Sequence, residues 1–146
     1  MIENKNPPFH KSACPCNSGK PFEKCCQVFL DGKKNPPTVA KLMRSRYSAF
    51  SLGGYGEYLL ATWHPDYRGQ LNEHELSILS THWVDLKIVS STQKGETGEV
   101  EFIARFENSD GTTSIHHENS NFIREKGMWL YCDGQIKPHN SGDQAR

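Results

Sequence analysis

Four of the chain's five cysteines lie in one short run, Cys14-Pro15-Cys16-Asn17-Ser18-Gly19-Lys20-Pro21-Phe22-Glu23-Lys24-Cys25-Cys26. The spacing is C-x-C, a turn-rich stretch, then C-C. Two close pairs of thiolates joined by a turn can surround a soft divalent metal, and zinc takes four sulfurs in a tetrahedron at about 2.3 Å. Pro15 stiffens the first pair, and Gly19 permits the tight turn. Pro21 suits the first turn of a short helix that carries Cys25 and Cys26 to the metal. Two alternatives stay open at this point. Disulfides belong to oxidising compartments, and residues 1–13 lack the apolar centre of a signal peptide. Short-loop pairing of adjacent Cys25 and Cys26 back to Cys14 and Cys16 is not settled by spacing. Four free structural thiols fit poorly with such polar flanks. The expectation is Zn2+ held by Cys14, Cys16, Cys25 and Cys26. Its role is structural, because four protein ligands leave no open position.

The run CPCNSGKPFEKCC resembles the SEC-C motif, the small zinc module found at the carboxyl end of the preprotein translocase ATPase and in many other bacterial proteins. The usual pattern reads CPCGSGKKYKKCC. Asn17 stands in place of the first Gly and Phe22 in place of the Tyr. Asn tolerates a left-handed backbone better than most residues, so the turn survives the exchange.

At 146 residues the chain suits one domain, or one domain with a small appendage. It carries 17 basic and 17 acidic residues, a balance that argues against a general nucleic-acid binder outside a local basic patch. No apolar run is long enough to span a membrane, and the chain reads as cytoplasmic. Residues 1–30 read as a polar leader followed by the zinc knuckle, and residues 31–146 as the main domain. Gln27-Val28-Phe29-Leu30 can anchor the knuckle to that domain.

Thr38 caps a helix to about Leu52, stopped by Gly53-Gly54. Val39, Leu42, Met43, Tyr47 and Phe50 form its buried stripe. Arg46 lies on or beside that stripe, either snorkelling to the surface or aimed into a pocket. A second helix covers Tyr55 to Thr62 and ends at Trp63-His64-Pro65. Asn72 and Glu75 resemble a capping box for a third helix to about Leu79. The period then changes to that of strands: Val84, Leu86 and Ile88; Val100, Phe102, Ala104 and Phe106; Thr112 to Arg124; and Met128 to Asp133. The short links between them imply an antiparallel meander, so the fold class is α+β.

LMRSRYSAF at 42–50, LLATWHP at 59–65, HENSNF at 117–122 and WLYCDG at 129–134 resemble the bacterial YchJ family. That family joins a SEC-C motif to a domain similar to nuclear transport factor two. The resemblance implies a cone: a curved antiparallel sheet packed on about three helices, enclosing an open pocket. Many relatives carry a second SEC-C motif at the carboxyl end, which IKPHNSGDQAR lacks.

Strand phase puts His117 with Ile115, and Asp133 with Trp129 and Tyr131. If these faces turn inward, Arg46, Tyr47, His117, Tyr131 and Asp133 converge as a ligand site, and an Arg46–Asp133 contact is expected. His64 reads as a surface or cap residue and Cys132 as a small buried hydrophobe. Two functions follow. One is an accessory protein whose knuckle, ringed by Lys11, Lys20, Lys24, Lys33 and Lys34, docks on a protein or ribosomal partner, with a small ligand in the cone. The alternative is a small-molecule enzyme of the isomerase or dehydratase kind, using a His–Asp pair as acid and base.

Overall fold

The computed structural model describes residues 13–138; the polar leader with Lys11, and the tail from 139 onward, lie outside the described residues. A 3-10 turn (Phe22–Lys24) and α1 (Gln27–Leu30) complete the knuckle segment. Then come α2 (Val39–Leu52), α3 (Gly56–Ala61) and α4 (Glu73–Ser77). Strands β1 (His82–Lys94), β2 (Thr97–Glu107), β3 (Thr113–Glu125) and β4 (Met128–Ile136) follow. They form one antiparallel sheet in the order β1-β2-β3-β4. Each strand pairs with its neighbour in sequence, as short hairpin links require. The β3–β4 link is Lys126-Gly127, both with positive φ (53° and 78°). That twist matches the strands it joins.

Local signals set the helix ends. Thr38 accepts the Lys41 amide, and Asn72 and Glu75 form a reciprocal capping box. Helix α2 is buried on far more than one stripe: Val39, Leu42, Met43, Ser45, Arg46, Tyr47, Ser48 and Ala49 are all buried. The small residues explain this. Ser45, Ser48 and Ala49 are fully buried and permit close approach. Ser45 meets the Tyr58 hydroxyl of α3 at 2.6 Å, and Ser48 meets the Cys14 sulfur at 3.6 Å. One face of α2 lies on the sheet, where the Val39 amide donates to Gln93 of β1 at 2.8 Å. Another face carries the knuckle. Cys14, Cys16 and Cys26 belong to the same apolar cluster as Leu42, Val100, Phe122 and Trp129.

Register defines the concave face of the sheet. Phe102 of β2 lies opposite Glu118 of β3, and Ala104 lies opposite His116. The inward set of β3 is therefore His116, Glu118, Ser120 and Phe122. The β3–β4 pairing steps from Asn121↔Asp133 to Phe122↔Tyr131, which leaves Cys132 as an extra residue on β4. A bulge of this kind reverses the phase of everything beyond it.

Candidate functional sites: a four-cysteine cluster and a cone cavity

The sulfurs of Cys14, Cys16, Cys25 and Cys26 all lie within 4.8 Å of one another. A tetrahedron with Zn–S near 2.3 Å has sulfur–sulfur edges of roughly 3.8 Å. Cys16 and Cys25 are already 3.7 Å apart. The donor set fits a four-thiolate metal site. Asn17 and Gly19 take positive φ (66° and 88°), turning the chain between the two pairs. The Cys14 amide donates to Lys20 at 2.8 Å, which closes that turn. Ser18 lies 3.1 Å from the Cys25 sulfur. The crowding is electrostatically uneven. Hydrogen bonds from Cys14 and Cys26 pull the Cys16 thiol far below its ordinary pKa. Hydrogen bonding to Cys16 pushes Cys14 up, and hydrogen bonding to Cys14 and Cys16 pushes Cys26 up. Four thiols this close together ionise together only with a cation among them.

The knuckle is tied to the domain by polar contacts as well. Arg44 Nη1 donates to the Cys16 carbonyl at 2.6 Å, and Asn17 Oδ1 accepts from the Leu86 amide of β1 at 2.9 Å. Beside it runs a groove of about 460 Å³ whose lining includes Lys20, Lys24, Lys34, Lys41 and Arg44.

The second site is a cavity of about 380 Å³ inside the cone. Met43, Arg46, Tyr47 and Phe50 of α2 form one wall, with Trp63 and Thr81 from the connections. Trp83, Phe102, Ala104, Phe106, His116, Glu118 and Tyr131 form the sheet wall. Arg46 is only 3% exposed. Its Nη1 donates to the Leu59 carbonyl at 2.8 Å and to Thr62 Oγ1 at 2.7 Å. Its guanidinium carbon lies 4.8 Å from the Tyr131 ring centre and 5.0 Å from that of Trp63, a cation–π cradle. Burial pushes its pKa down to about 10, so it stays charged at neutral pH.

Glu118 is buried too, and three donors hold its carboxylate: His116 Nε2 at 2.8 Å, Ser120 Oγ at 2.7 Å and Tyr131 Oη at 2.9 Å. Gly134 makes room for it. A Cβ there would fall 1.8 Å from Glu118 Oε2. Burial works to raise the Glu118 pKa, but those hydrogen bonds outweigh it and hold the group below its ordinary 4.5. A carboxylate depressed in the folded state stabilises the fold above its unfolded pKa, and that stability drains as pH falls through the folded value. Glu118→Gln should therefore flatten the acid limb of a stability-versus-pH curve below about pH 4.5. An unchanged acid limb would show that the three donors do not favour the ionised form.

The cavity brings together three residues singled out from the sequence, Arg46, Tyr47 and Tyr131. It does not include His117 or Asp133, and the expectation that these two face inward is corrected. His117 lies on the outer face, 2.7 Å from Glu101, which Lys137 also approaches at 3.4 Å. Asp133 is exposed and accepts from Asn121 Nδ2 at 2.9 Å, so no Arg46–Asp133 contact exists. The bulge at Cys132 separates Asp133 from Tyr131, and the apolar residues Ile115 and Ile123 on the outer face of β3 make the wrong phase look buried. The inward pair is His116 and Glu118. Phe122, fully buried and in phase with them, was the available signal. His64 is also buried, its Nε2 2.9 Å from Glu125 and its Nδ1 accepting the Asp66 amide at 3.1 Å.

A four-cysteine knuckle on a curved sheet with a cavity defines the class: an α+β protein joining a SEC-C motif to a domain like nuclear transport factor two. The SEC-C motif description matches residues 11–27, and that of the middle NTF2-like domain of YchJ matches residues 38–134. The chain is 40% identical over 136 residues to a UPF0225 protein of Bordetella parapertussis, covering 91% of this chain and 99% of that one. A SEC-C motif protein of Rhodopseudomonas palustris, solved in solution, superposes with a TM-score of 0.79 at 32% identity, covering 87% of this chain and all of that one. A crystal structure of a SEC-C motif protein from Psychrobacter arcticus gives 0.75 at 28% identity, covering 92% of this chain and 88% of that one. The chain belongs to the YchJ (UPF0225) family.

Proposed function

We propose that this is a cytoplasmic zinc-containing accessory protein whose cone domain holds a small ligand. The observation that carries the reading is the cavity itself. A core filled for stability alone would close around its aromatics, yet about 380 Å³ stays open beside a buried arginine and a buried carboxylate. Concave, mostly apolar sites with a few convergent polar groups are the usual ligand sites, and this volume lies at the small end of their range. Zinc is the metal that four thiolates in this geometry favour. Among the described residues no helix is long and apolar enough to cross a membrane. Reduced cysteines at metal spacing suit the cytoplasm.

The knuckle supplies a second surface. Five cations line its groove, against a charge of about −2 on a zinc–thiolate centre. An acidic protein or ribosomal surface fits that excess. The rival reading, an enzyme of the isomerase or dehydratase kind, uses the same cavity, with His116 and Glu118 as its acid–base pair instead of His117 and Asp133.

Amide and indole NMR spectra of the zinc-loaded full chain test these points together. A small-molecule library should yield compounds that shift Trp63, Trp83 and Tyr131. Polyglutamate should shift Lys20, Lys24 and Lys34 instead. A hit recovered chemically changed would select the enzyme. A library with no hit on the cavity residues would remove the ligand-binding reading.

A further inference from the structure

We propose that Arg46 is the anion anchor of the cone cavity, and that the ligand is a small carboxylate on an aromatic or branched apolar body. This rests on the ligand-binding reading and specifies its chemistry.

Arg46 brings a positive charge into the cavity wall without an ion-pair partner among the described residues. The arginine ion pairs among the described residues are those of Arg105 with Asp85 and Arg124 with Glu96, both solvent-exposed. Arg46, which is buried, has no such partner among the described residues. Its two hydrogen bonds both leave Nη1 and both go to neutral acceptors. Nε and Nη2 make no hydrogen bond among the described residues. A buried cation without a counter-ion is costly, and proteins pair or ligate such groups.

Glu118, the carboxylate of the cavity wall, does not fill the role. Its oxygens are committed to His116, Ser120 and Tyr131, and it acts on Arg46 only as a weak attraction through space, without an ion pair. The open side of the cavity leaves room for a closer counter-ion to enter. Trp63 and Tyr131 hold the guanidinium plane in place, so the open edge of the fork keeps one direction. A carboxylate matches a guanidinium edge with two parallel hydrogen bonds. Beyond the anchor the wall is apolar, with Phe50, Trp83, Phe102 and Phe106 around a space sized for one or two rings.

The test uses three probes of one shape on the zinc-loaded full chain: phenylacetate, phenylacetamide and phenethylamine. Calorimetry or NMR titration should show phenylacetate binding at least about tenfold tighter than phenylacetamide, with phenethylamine weakest, and with shifts at Trp63 and Trp83. Arg46→Met replaces the guanidinium with a shorter, neutral, apolar chain and should erase the preference. Thr81→Glu adds a negative charge at the half-exposed rim of the cavity, outside any helix or strand. It should weaken phenylacetate several-fold more than it weakens phenylacetamide, which keeps the test decisive if Arg46→Met folds poorly. Equal binding of acid and amide would overturn the anion anchor while leaving the ligand cavity standing. Preference for the amine would overturn it in favour of Glu118. Binding by none of the three would overturn this inference, and the library screen then decides the ligand-binding reading separately.

Discussion

Chelating the metal from the intact chain should unfold residues 13–26 and also lower the melting temperature of the domain. Alone, the knuckle cannot hold its shape, because a segment this short buries too little to offset its backbone entropy. Metal binding is its folding free energy, of the order of 10–16 kcal/mol in zinc-finger peptides. The effect spreads because the knuckle covers part of α2. Cys16 and Cys26 are 0% and 1% exposed within the cluster that holds Val39 and Leu42. The Cys14–Ser48, Arg44–Cys16 and Asn17–Leu86 contacts vanish with it. Uncovering that face should cost about 3 kcal/mol, or roughly 10 °C of melting temperature in a domain this size. Cys16→Ser should act in the same direction. Calorimetry with and without chelator reads the shift, and amide exchange reads its place: Ser45 and Ser48 should lose protection along with residues 14–26. If α2 and β1 keep full protection after metal loss, the knuckle is an independent module and the shared core contributes nothing to it.

The helices and strands were legible because each carries its own local signal. The caps at Thr38 and Asn72, the turn at Lys126-Gly127 and the alternation of Val100, Phe102, Ala104 and Phe106 are short-range facts, and the structure uses all of them. The cysteine cluster was legible for the same reason, since its ligands are close in sequence. The cavity was only half legible. Helical phase placed Arg46 and Tyr47 correctly, because one helix has one phase. Sheet phase failed at two places for two different reasons. On β4, a bulge at Cys132 changes which face Asp133 occupies, and no feature of Tyr131-Cys132-Asp133 announces it. On β3 both faces carry apolar residues, Ile115 and Ile123 outside and Phe122 inside, so alternation alone does not choose between them. Register with β2 decides it, since Glu118 lies opposite Phe102. Register is a long-range property that the turn at Asn108–Gly111 sets only once its geometry is known. The burial of the second α2 face was hidden too. Ser45, Ser48 and Ala49 look like a solvated face until the knuckle and α3 are seen to press on it.

Arg46→Ala and Arg46→Met should separate the arginine's part in the fold from its part in the site. Truncation to Ala removes two hydrogen bonds and the cation–π contacts with Trp63 and Tyr131, and it enlarges the cavity from within. Large-to-small changes in a core cost about 2–5 kcal/mol, and this one should fall in the upper half of that range. Met at the same position behaves differently. It restores most of the buried volume with a flexible apolar chain, and its sulfur packs well against aromatic rings. The lost cation–π attraction and the two lost hydrogen bonds of the charged group, each about 2 kcal/mol, are set against a desolvation penalty of several kcal/mol that the buried charge no longer imposes. These terms nearly cancel, so Arg46→Met should lie within about 2 kcal/mol of the parent in a urea melt. Thr62 Oγ1 also donates to the Tyr58 carbonyl at 2.8 Å and is not stranded by the change. A group that the fold tolerates losing as Met, but which the chain keeps buried and charged, is held there for what it binds. If Arg46→Met instead destabilises as much as Arg46→Ala, the charge is a structural member of the core, and the cavity beside it has no anchor.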